Sequence, residues 1–204
     1  MMRNNRTIAL TGGVGSGKSR ILELLAREYE AEVIQTDLVA RELQEPGMPG
    51  FQAIIQSFGQ DMVGEDGYLK KDVLTALVFG DEKNRERING LIHPLVWERV
   101  KRQAGESDFP MVVVESAVLP ENPGDFFDEV WYVYTLRECR IRRLMESRGY
   151  SRERCLKMME GQASEEEFRK RATCVIDNNG SMEDVRKQVE VILGRTPVKK
   201  SRQD

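Results

Sequence analysis

A glycine-rich segment near the N-terminus, GGVGSGKS, constrains the fold more than any other part of the sequence. It lies between a β-rich run, RTIALT, and SRILELLAREYE, whose apolar residues recur at helical spacing. A strand, a glycine-rich turn and a helix in this order are typical of a phosphate-binding P-loop. The defining positions of that motif, G-x-x-x-x-G-K-S, are occupied by Gly12, Gly17, Lys18 and Ser19.

The residue types of this segment suit the binding of a nucleoside triphosphate. Glycines permit unusual backbone turns and leave space for several N–H groups to converge on one phosphate. The helix that follows directs its positive end toward the same anion. Lys18 is expected to reach the β- and γ-phosphates, and the Ser19 hydroxyl to bind Mg²⁺. The predicted nucleotide-binding residues are Gly12, Gly13, Val14, Gly15, Ser16, Gly17, Lys18 and Ser19.

Asp37 is the first candidate for catalysis outside the loop. The run AEVIQ predicts a second strand at Val33–Gln35, and Asp37 follows its end. Ligands of open α/β sheets bind at the carboxyl ends of the strands, so this carboxylate is placed to accept a proton from a substrate hydroxyl. The alternative is that Asp37 only caps the helix that begins at LVAREL.

The rest of the pattern indicates an α/β protein. Continuous apolar runs at Val112–Val114 and Val130–Tyr134 are typical of strands buried on both faces, and Val175–Ile176 suggests a last short strand. Between them lie amphipathic helical segments. We predict a three-layer P-loop NTPase fold with a parallel five-stranded sheet, a helical acceptor-binding insert and a helical lid, the last two by analogy with small P-loop kinases.

The predicted boundaries place one kinase domain at 1–195. Its core covers about 6–37, 108–136 and 173–194, the insert about 38–105 and the lid about 137–172. The sequence RTPVKKSRQD lacks an apolar pattern, so 196–204 is predicted to be a flexible tail. Ser181 and Asp184 predict a capping box at the start of the closing helix.

Two further features of the sequence leave alternatives open. Glu115 follows the strand Val112–Val114 and is either a ligand of Mg²⁺ through water or a simple polar end of the strand. The segment from 137 to 154 is rich in arginine, which can offset the charge of a transferring phosphoryl group. Most of these arginines are interpreted as solvated helix-face charges, because acidic residues interleave with them. Arg148 stands apart because it precedes a break at Gly149.

Composition argues against several classes of partner. Lysine and arginine total 31 against 34 aspartates and glutamates, so nucleic acid and anionic membranes are not the expected partners. The N-terminal sequence lacks the apolar run of a signal peptide. Three widely spaced cysteines without accompanying histidine suggest reduced thiols in a cytoplasmic protein, with neither a zinc site nor a disulfide framework.

Taken together, the motifs resemble those of the dephospho-coenzyme A kinase family from Ile8 to about Leu193. The resemblance rests on LTGGVGSGKS, Asp37-x-x-Ala40-Arg41, INGLIHPLVW, ESRGYSRE, Gln162 within GQASEEEFRKRA, and VIDNNGSMEDVRKQV. The P-loop alone is shared by many families, whereas this combination is far more specific. The chain departs from the family pattern at Arg20, at Gln35 and within ESAVLPE, where Pro120 changes the local backbone.

The resemblance implies a reaction and a set of roles. ATP would phosphorylate the 3′-hydroxyl of dephospho-coenzyme A, a small-molecule substrate, with Mg²⁺ as cofactor. Asp37 falls at the proposed catalytic carboxylate, Arg148 in the lid near the nucleotide, and Asn178 on the adenine side. Lys18 and Arg148 would act with Asp37 in catalysis. The role of the single histidine, His93, stays open, and a monomer or weak homo-oligomer is expected.

Two rival functions remain open on the sequence alone. One is another small P-loop kinase that phosphorylates a nucleoside monophosphate or a small metabolite. The other is a non-catalytic ATP-binding regulator, which would bind nucleotide without transferring phosphate. Asp37 and the arginine-rich segment argue against the regulator, because a sensor needs no proton acceptor.

Overall fold

The computed structural model describes residues 5–194, except for the side chain of Phe79. The predicted tail at 196–204 therefore lies outside the described residues. A five-stranded parallel sheet, in the order β2-β3-β1-β4-β5, confirms the predicted fold class. The strands are β1 (Arg6–Thr11), β2 (Ala31–Gln35), β3 (Met111–Glu115), β4 (Glu129–Tyr134) and β5 (Cys174–Asp177).

Helices follow or connect these strands. They are α1 (Lys18–Glu28), α2 (Thr36–Glu42), α3 (Pro49–Phe58), α4 (Lys71–Gly80), α5 (Glu82–Glu106), α6 (Arg137–Arg148), α7 (Arg152–Glu160), α8 (Glu165–Arg171) and α9 (Met182–Leu193). Short 3₁₀ turns occur at Gln60–Met62 and Pro123–Asp125. In the part of the chain that the structure describes, no helix is long and apolar enough to cross a bilayer.

The chain forms two compact units. Residues up to Ile34 and from Ser107 onward make the first, and Gln35–Glu106 makes the second. The second unit starts slightly earlier than the predicted insert because α2 packs against the long helix α5. We call this second unit the insert. Its binding of an acceptor, and the role of 137–172 as a lid, stay predictions.

The core of the first unit explains why the sequences of its strands are continuous apolar runs. Ile8, Val113 and Trp131 are fully buried in the sheet, since helices cover both of its faces. The apolar side of α1 and that of α9 belong to the same core cluster. This packing holds the start of α1, and therefore the glycine-rich segment before it, against the sheet.

Parallel pairing brings the functional candidates to one edge. Leu10 pairs with Glu115 and with Trp131, and Tyr134 pairs with Asp177, so β1, β3, β4 and β5 all run in one direction. The residues that follow their carboxyl ends therefore meet at the same edge of the sheet.

The predicted capping box at the start of α9 is confirmed. Ser181 Oγ accepts a hydrogen bond from the Asp184 amide at 3.2 Å, and Asp184 Oδ2 accepts one from the Ser181 amide at 2.9 Å. Ser164 and Glu167 form a second capping box on α8, which the sequence reasoning missed. Both boxes satisfy N–H groups that a helix otherwise leaves unpaired.

Candidate active site

The glycine-rich segment ends in a left-handed residue that starts α1. Gly17, at φ 91°, is the N-cap of this helix, and no side chain caps the helix in its place. The first N–H groups of α1 are therefore available to an anion. A Cβ on Gly17 would overlap the side-chain nitrogen of Asn178, so glycine is required here by both conformation and space.

A single carbonyl anchors the loop to the sheet. The Ser16 oxygen accepts hydrogen bonds from Asn178 Nδ2 at 2.7 Å, Thr135 Oγ1 at 3.0 Å and Arg143 Nη1 at 3.3 Å. Asn178 is only 4% exposed, and its own carbonyl accepts a bond from Arg143 Nη2 at 2.8 Å. Three donors on one acceptor fix the direction of the peptide plane, so the loop is shaped before any ligand binds.

Lys18 contacts two oxygens at the centre of the site. Its Nζ lies 2.8 Å from the Gly12 carbonyl oxygen and 3.4 Å from Glu115 Oε1. The side chains of Lys18 and Glu115 are each 15% exposed, which makes this ion pair a shielded one. The structure therefore brings Glu115 into the P-loop site, beyond the role of a simple polar end of β3.

The residues present fit a magnesium ion. Ser19 is the second residue of α1, and its side chain is exposed. Its hydroxyl and the Glu115 carboxylate supply oxygen, the ligand type that Mg²⁺ prefers. Among residues 5–194, no group of three or more His, Cys, Asp or Glu side chains could hold a metal.

Arg140 of α6 contacts the glycine-rich loop directly, although the sequence alone does not distinguish it from the neighbouring arginines. Its Nε donates to the Val14 carbonyl at 2.8 Å, and its Nη2 donates to Gln162 Oε1 at 2.7 Å. The same Gln162 oxygen accepts a bond from the Val14 amide at 3.1 Å. A Cβ on Gly13 would overlap the guanidinium group. Burial lowers the pKa of Arg140 from its usual value.

The arginines of the segment from 137 to 154 fall into two groups by exposure, and most of them are exposed, as the interleaved acidic residues predict. Arg140 and Arg143 are half-buried on the loop, while Arg137, Arg142, Arg148, Arg152 and Arg154 are exposed. Arg148 ends α6 immediately before Gly149, whose φ of 64° terminates the helix. The sequence alone does not single out these two arginines, because the exposed Arg142 also adjoins the buried Ile141.

Asp37 lies inside α2. It is the second residue of this helix, its side chain is exposed, and the N-cap position is Gln35. The alternative that Asp37 merely caps the helix is therefore wrong. His93 is half-buried in the middle of α5, beside Pro94.

Two cavities adjoin the two ends of the loop sequence. The first, of about 450 Å³, is lined by Gly17, Arg20, Arg143, Asn178, Ser181 and Met182. The second, of about 470 Å³, is lined by Thr11, Leu119, Glu121, Phe168, Lys170 and Arg171. The Thr11 hydroxyl is buried with no hydrogen-bond partner among the described residues.

The second cavity has a defined wall. The Phe168 ring stacks on that of Tyr132, with centroids 4.9 Å apart, and the Arg169 guanidinium lies 4.7 Å from the centre of the Tyr134 ring. Arg171 donates to the carbonyl of Pro120. These contacts hold α8 against β4 and against the segment that follows β3.

Comparison with known proteins agrees with this arrangement. The family model for dephospho-CoA kinase matches residues 6–184. A dephospho-CoA kinase from Carboxydothermus hydrogenoformans is 35% identical over 190 residues, which cover 91% of this chain and 92% of that protein. A crystal structure of a Thermus thermophilus protein shares 29% identity at a TM-score of 0.79, covering 93% of this chain and 97% of its own.

A more distant structure supports the fold. The dephospho-CoA kinase from Campylobacter jejuni matches 94% of this chain and 97% of its own at a TM-score of 0.60 and 21% identity. The family model spans the P-loop, the insert and the segment that carries Arg140, so the match is not limited to the motif that many kinases share. Since the family model matches residues 6–184 and a curated relative is 35% identical over 190 residues, this chain belongs to the dephospho-CoA kinase family.

Proposed function

We propose that this kinase transfers the γ-phosphoryl group of ATP to the 3′-hydroxyl of dephospho-CoA, giving CoA and ADP, the last step of CoA synthesis. The observation that carries the proposal is the shaped P-loop, with the Ser16 carbonyl bound by three donors, within a chain of this family. A loop with that shape binds a polyphosphate, and family membership supplies the acceptor.

Lys18 exchanges partners when the nucleotide binds. In the structure its ammonium group is neutralised by Glu115, 3.4 Å away. The β- and γ-phosphates are a stronger anion at the same place, so Lys18 turns to them and leaves the Glu115 carboxylate. Ser19 and, through water, Glu115 would then hold Mg²⁺, which neutralises charge on the phosphates when it is bound.

Asp37 prepares the acceptor. It follows β2, which belongs to the same parallel sheet as the strand that leads into the P-loop. We assign to its carboxylate the orientation and deprotonation of the 3′-hydroxyl, which attacks the γ-phosphorus in line with the departing ADP oxygen. Positioning and electrostatic stabilisation supply most of the rate, because phosphoryl transfer requires little covalent work from the protein.

The arginines have two roles in this proposal. Arg140 and Arg143 hold the loop through the carbonyls of Val14 and Ser16. Arg148, exposed at the end of α6, closes over the transferring phosphoryl group and offsets its charge. Asn178, which lines the first cavity, is assigned to the adenine side of ATP.

One assay tests the function. Purified protein with ATP, Mg²⁺ and dephospho-CoA is expected to give CoA and ADP in equal amounts, measured by separation of the products. AMP and shikimate serve as alternative acceptors, and preference for either would favour the rival small-molecule kinase. Nucleotide binding without transfer to any acceptor would favour the rival regulator. A cytoplasmic location and a monomer or weak homo-oligomer remain predictions.

A further inference from the structure

Gln162 contacts the glycine-rich loop, although the proposed function gives it no role. It lies in the turn 161–164 between α7 and α8. Its backbone amide donates to the Met159 carbonyl at 3.2 Å, and two residues later Ser164 starts α8 with a capping box. The turn is therefore fixed at both ends, and it presents the Gln162 side chain to the loop in a defined position.

The side-chain oxygen of Gln162 accepts two hydrogen bonds. The Val14 amide donates to Oε1 at 3.1 Å, and Arg140 Nη2 donates to the same oxygen at 2.7 Å. Arg140 Nε donates in turn to the Val14 carbonyl at 2.8 Å. These three bonds form a closed ring, so both the N–H and the C=O of Val14 have a fixed partner.

This ring also fixes the direction in which the Gln162 amide faces. Both partners of Oε1 are N–H donors, so a reversed amide would set the NH₂ group against two other donors. Oε1 therefore faces Val14 and Arg140. The two N–H groups of Nε2 have no hydrogen-bond partner within residues 5–194, and the side chain is half-buried. Two donors in a fixed orientation thus remain available beside the loop.

The electrostatic surroundings of these donors are positive. Arg140 is half-buried and, in the stretch 5–194, forms no ion pair that would neutralise it. Its bond to Oε1 polarises the Gln162 amide, which makes the Nε2 hydrogens stronger donors. An anionic oxygen is the complementary partner.

The position of Val14 in the loop indicates which anion this is. Gly17, at the helix end of the loop, lines the first cavity, which the proposed function assigns to the adenine side. Lys18, expected at the β- and γ-phosphates, has its Nζ 2.8 Å from the Gly12 carbonyl oxygen, at the other end of the loop sequence. Gln162 contacts Val14, two residues from Gly12, so its NH₂ group lies at the γ-phosphate end of the loop.

We infer that Gln162 is a further catalytic residue, whose Nε2 donates a hydrogen bond to the γ-phosphoryl group of ATP, an inference that rests on the proposed function. Charge spreads over the oxygens of this group as it is transferred. A donor that is already held in place by Val14 and Arg140 stabilises that charge without having to reorganise. The two ends of one side chain then have different tasks, since Oε1 holds the loop and Nε2 contacts the substrate.

Gln162→Glu separates the two tasks. A carboxylate keeps an oxygen for Val14 and Arg140, so the melting temperature should equal or exceed that of the wild type. The NH₂ donor is lost, so kcat with ATP and dephospho-CoA should fall by about 10²-fold. In calorimetric titrations of the full chain with Mg²⁺, affinity for a non-hydrolysable ATP analogue should fall about tenfold more than affinity for ADP, which lacks the γ-phosphate.

Gln162→Met tests the same contact without adding a charge. It keeps the length of the side chain but removes both the acceptor and the donor, so the melting temperature and kcat should both fall. ADP affinity should fall less than affinity for the ATP analogue. If the glutamate variant does not fold, this comparison of two nucleotides decides the inference alone.

Gln188→Ala is the matched control, because Gln188 has structural bonds at both ends of its amide. Its Oε1 accepts from the Asp177 amide and its Nε2 donates to the Asp177 carbonyl, each at 2.8 Å. Its loss should lower the melting temperature and leave kcat unchanged. A wild-type kcat in Gln162→Glu would overturn the inference, since the acceptor oxygen alone would then account for Gln162. Equal losses of ADP and ATP-analogue affinity in both Gln162 variants would also overturn it.

The two nucleotide titrations separate this inference from the proposed function, because they require no acceptor. If the Gln162 variants lose affinity for the ATP analogue but not for ADP, and the wild type does not phosphorylate dephospho-CoA, the proposed function fails and the γ-phosphate contact stands. If the wild type phosphorylates dephospho-CoA and both variants keep its kcat, the function stands and the contact fails.

Discussion

The P-loop region and the insert use their cationic side chains in different ways. Around the loop, Lys18, Arg140 and Arg143 all contact oxygens of the protein itself. A cavity of about 420 Å³ within the insert is lined by Arg41 and Lys71, whose side chains are exposed and have no such partner within residues 5–194. Half-buried cations must be neutralised or hydrogen-bonded in the absence of ligand, whereas exposed cations stay solvated.

The difference concerns when each site takes its shape. The loop is pre-organised, because its carbonyls and its lysine are already fixed, and nucleotide binding replaces one partner by another. The cavity of the insert is shaped by backbone contacts around Val63 and Leu69, and its cationic side chains are exposed. Mutations of the loop cations should therefore affect stability as well as function, whereas mutations of the exposed cations of the insert should leave stability unchanged.

The largest effect is expected from Asp37→Asn. This change removes the proton acceptor and keeps the size of the side chain, so kcat should fall by roughly 10²–10⁴-fold while ATP affinity stays unchanged. Rapid-quench measurement of CoA formation and calorimetric titration with ATP check the two parts. Near-normal turnover would remove Asp37 from the role of base.

Lys18→Ala gives the contrasting result from the other region. Lys18 contacts groups that are present throughout the reaction, so both ATP affinity and kcat should fall. It also leaves Glu115 without its ion-pair partner, 15% exposed. Unchanged ATP affinity together with an unchanged rate would mean that the loop does not bind phosphate as proposed.

The next largest effects are expected from substitution of two arginines of α6, Arg148 and Arg140. Arg148→Gln is expected to lower kcat by about 10²-fold, as expected when an electrostatic contact made in the transition state is removed, with ATP affinity and stability unchanged. Arg140→Gln breaks the bond to the Val14 carbonyl, so it should raise KM for ATP by about tenfold and lower the melting temperature. Steady-state kinetics and thermal unfolding of both variants provide the test. A wild-type kcat for Arg148→Gln beside a large loss for Arg140→Gln would transfer the catalytic role to Arg140.

The sequence predicts a feature of these sites well when the residues that specify it are close together in the chain. The P-loop, the strands and the α9 capping box are specified by residues close together in the chain, and the structure confirms them. The sequence does not distinguish Arg140 from the neighbouring arginines, because its role depends on hydrogen bonds to Val14 and Gln162, which are distant in the sequence. The cavity of the insert was equally unpredictable, since it forms only where the end of α2 lies beside the start of α4.

A smaller effect is expected from Gly17→Ala. An alanine at φ 91° costs about 1–2 kcal/mol, and its Cβ would displace the Asn178 side chain from the Ser16 carbonyl. Stability should fall by at least this amount, and ATP affinity should fall with it. Chemical denaturation and calorimetry measure the two effects. Gly124→Ala is the control, because a Cβ there meets open space and should change neither quantity.

The smallest effect is expected from Ser181→Ala, which removes the cap of α9 from a residue that also lines the first cavity. Loss of an N-cap side chain costs about 1 kcal/mol, so the melting temperature should fall by a few degrees. Since the hydroxyl bonds only to Asp184 in the described part of the chain, kcat and KM for ATP should not change. Ser164→Ala, at the other capping box, should lower stability by a similar amount. If Ser181→Ala also raised KM for ATP, the start of α9 would belong to the nucleotide site itself, and the pre-organised region would extend from the loop to this helix.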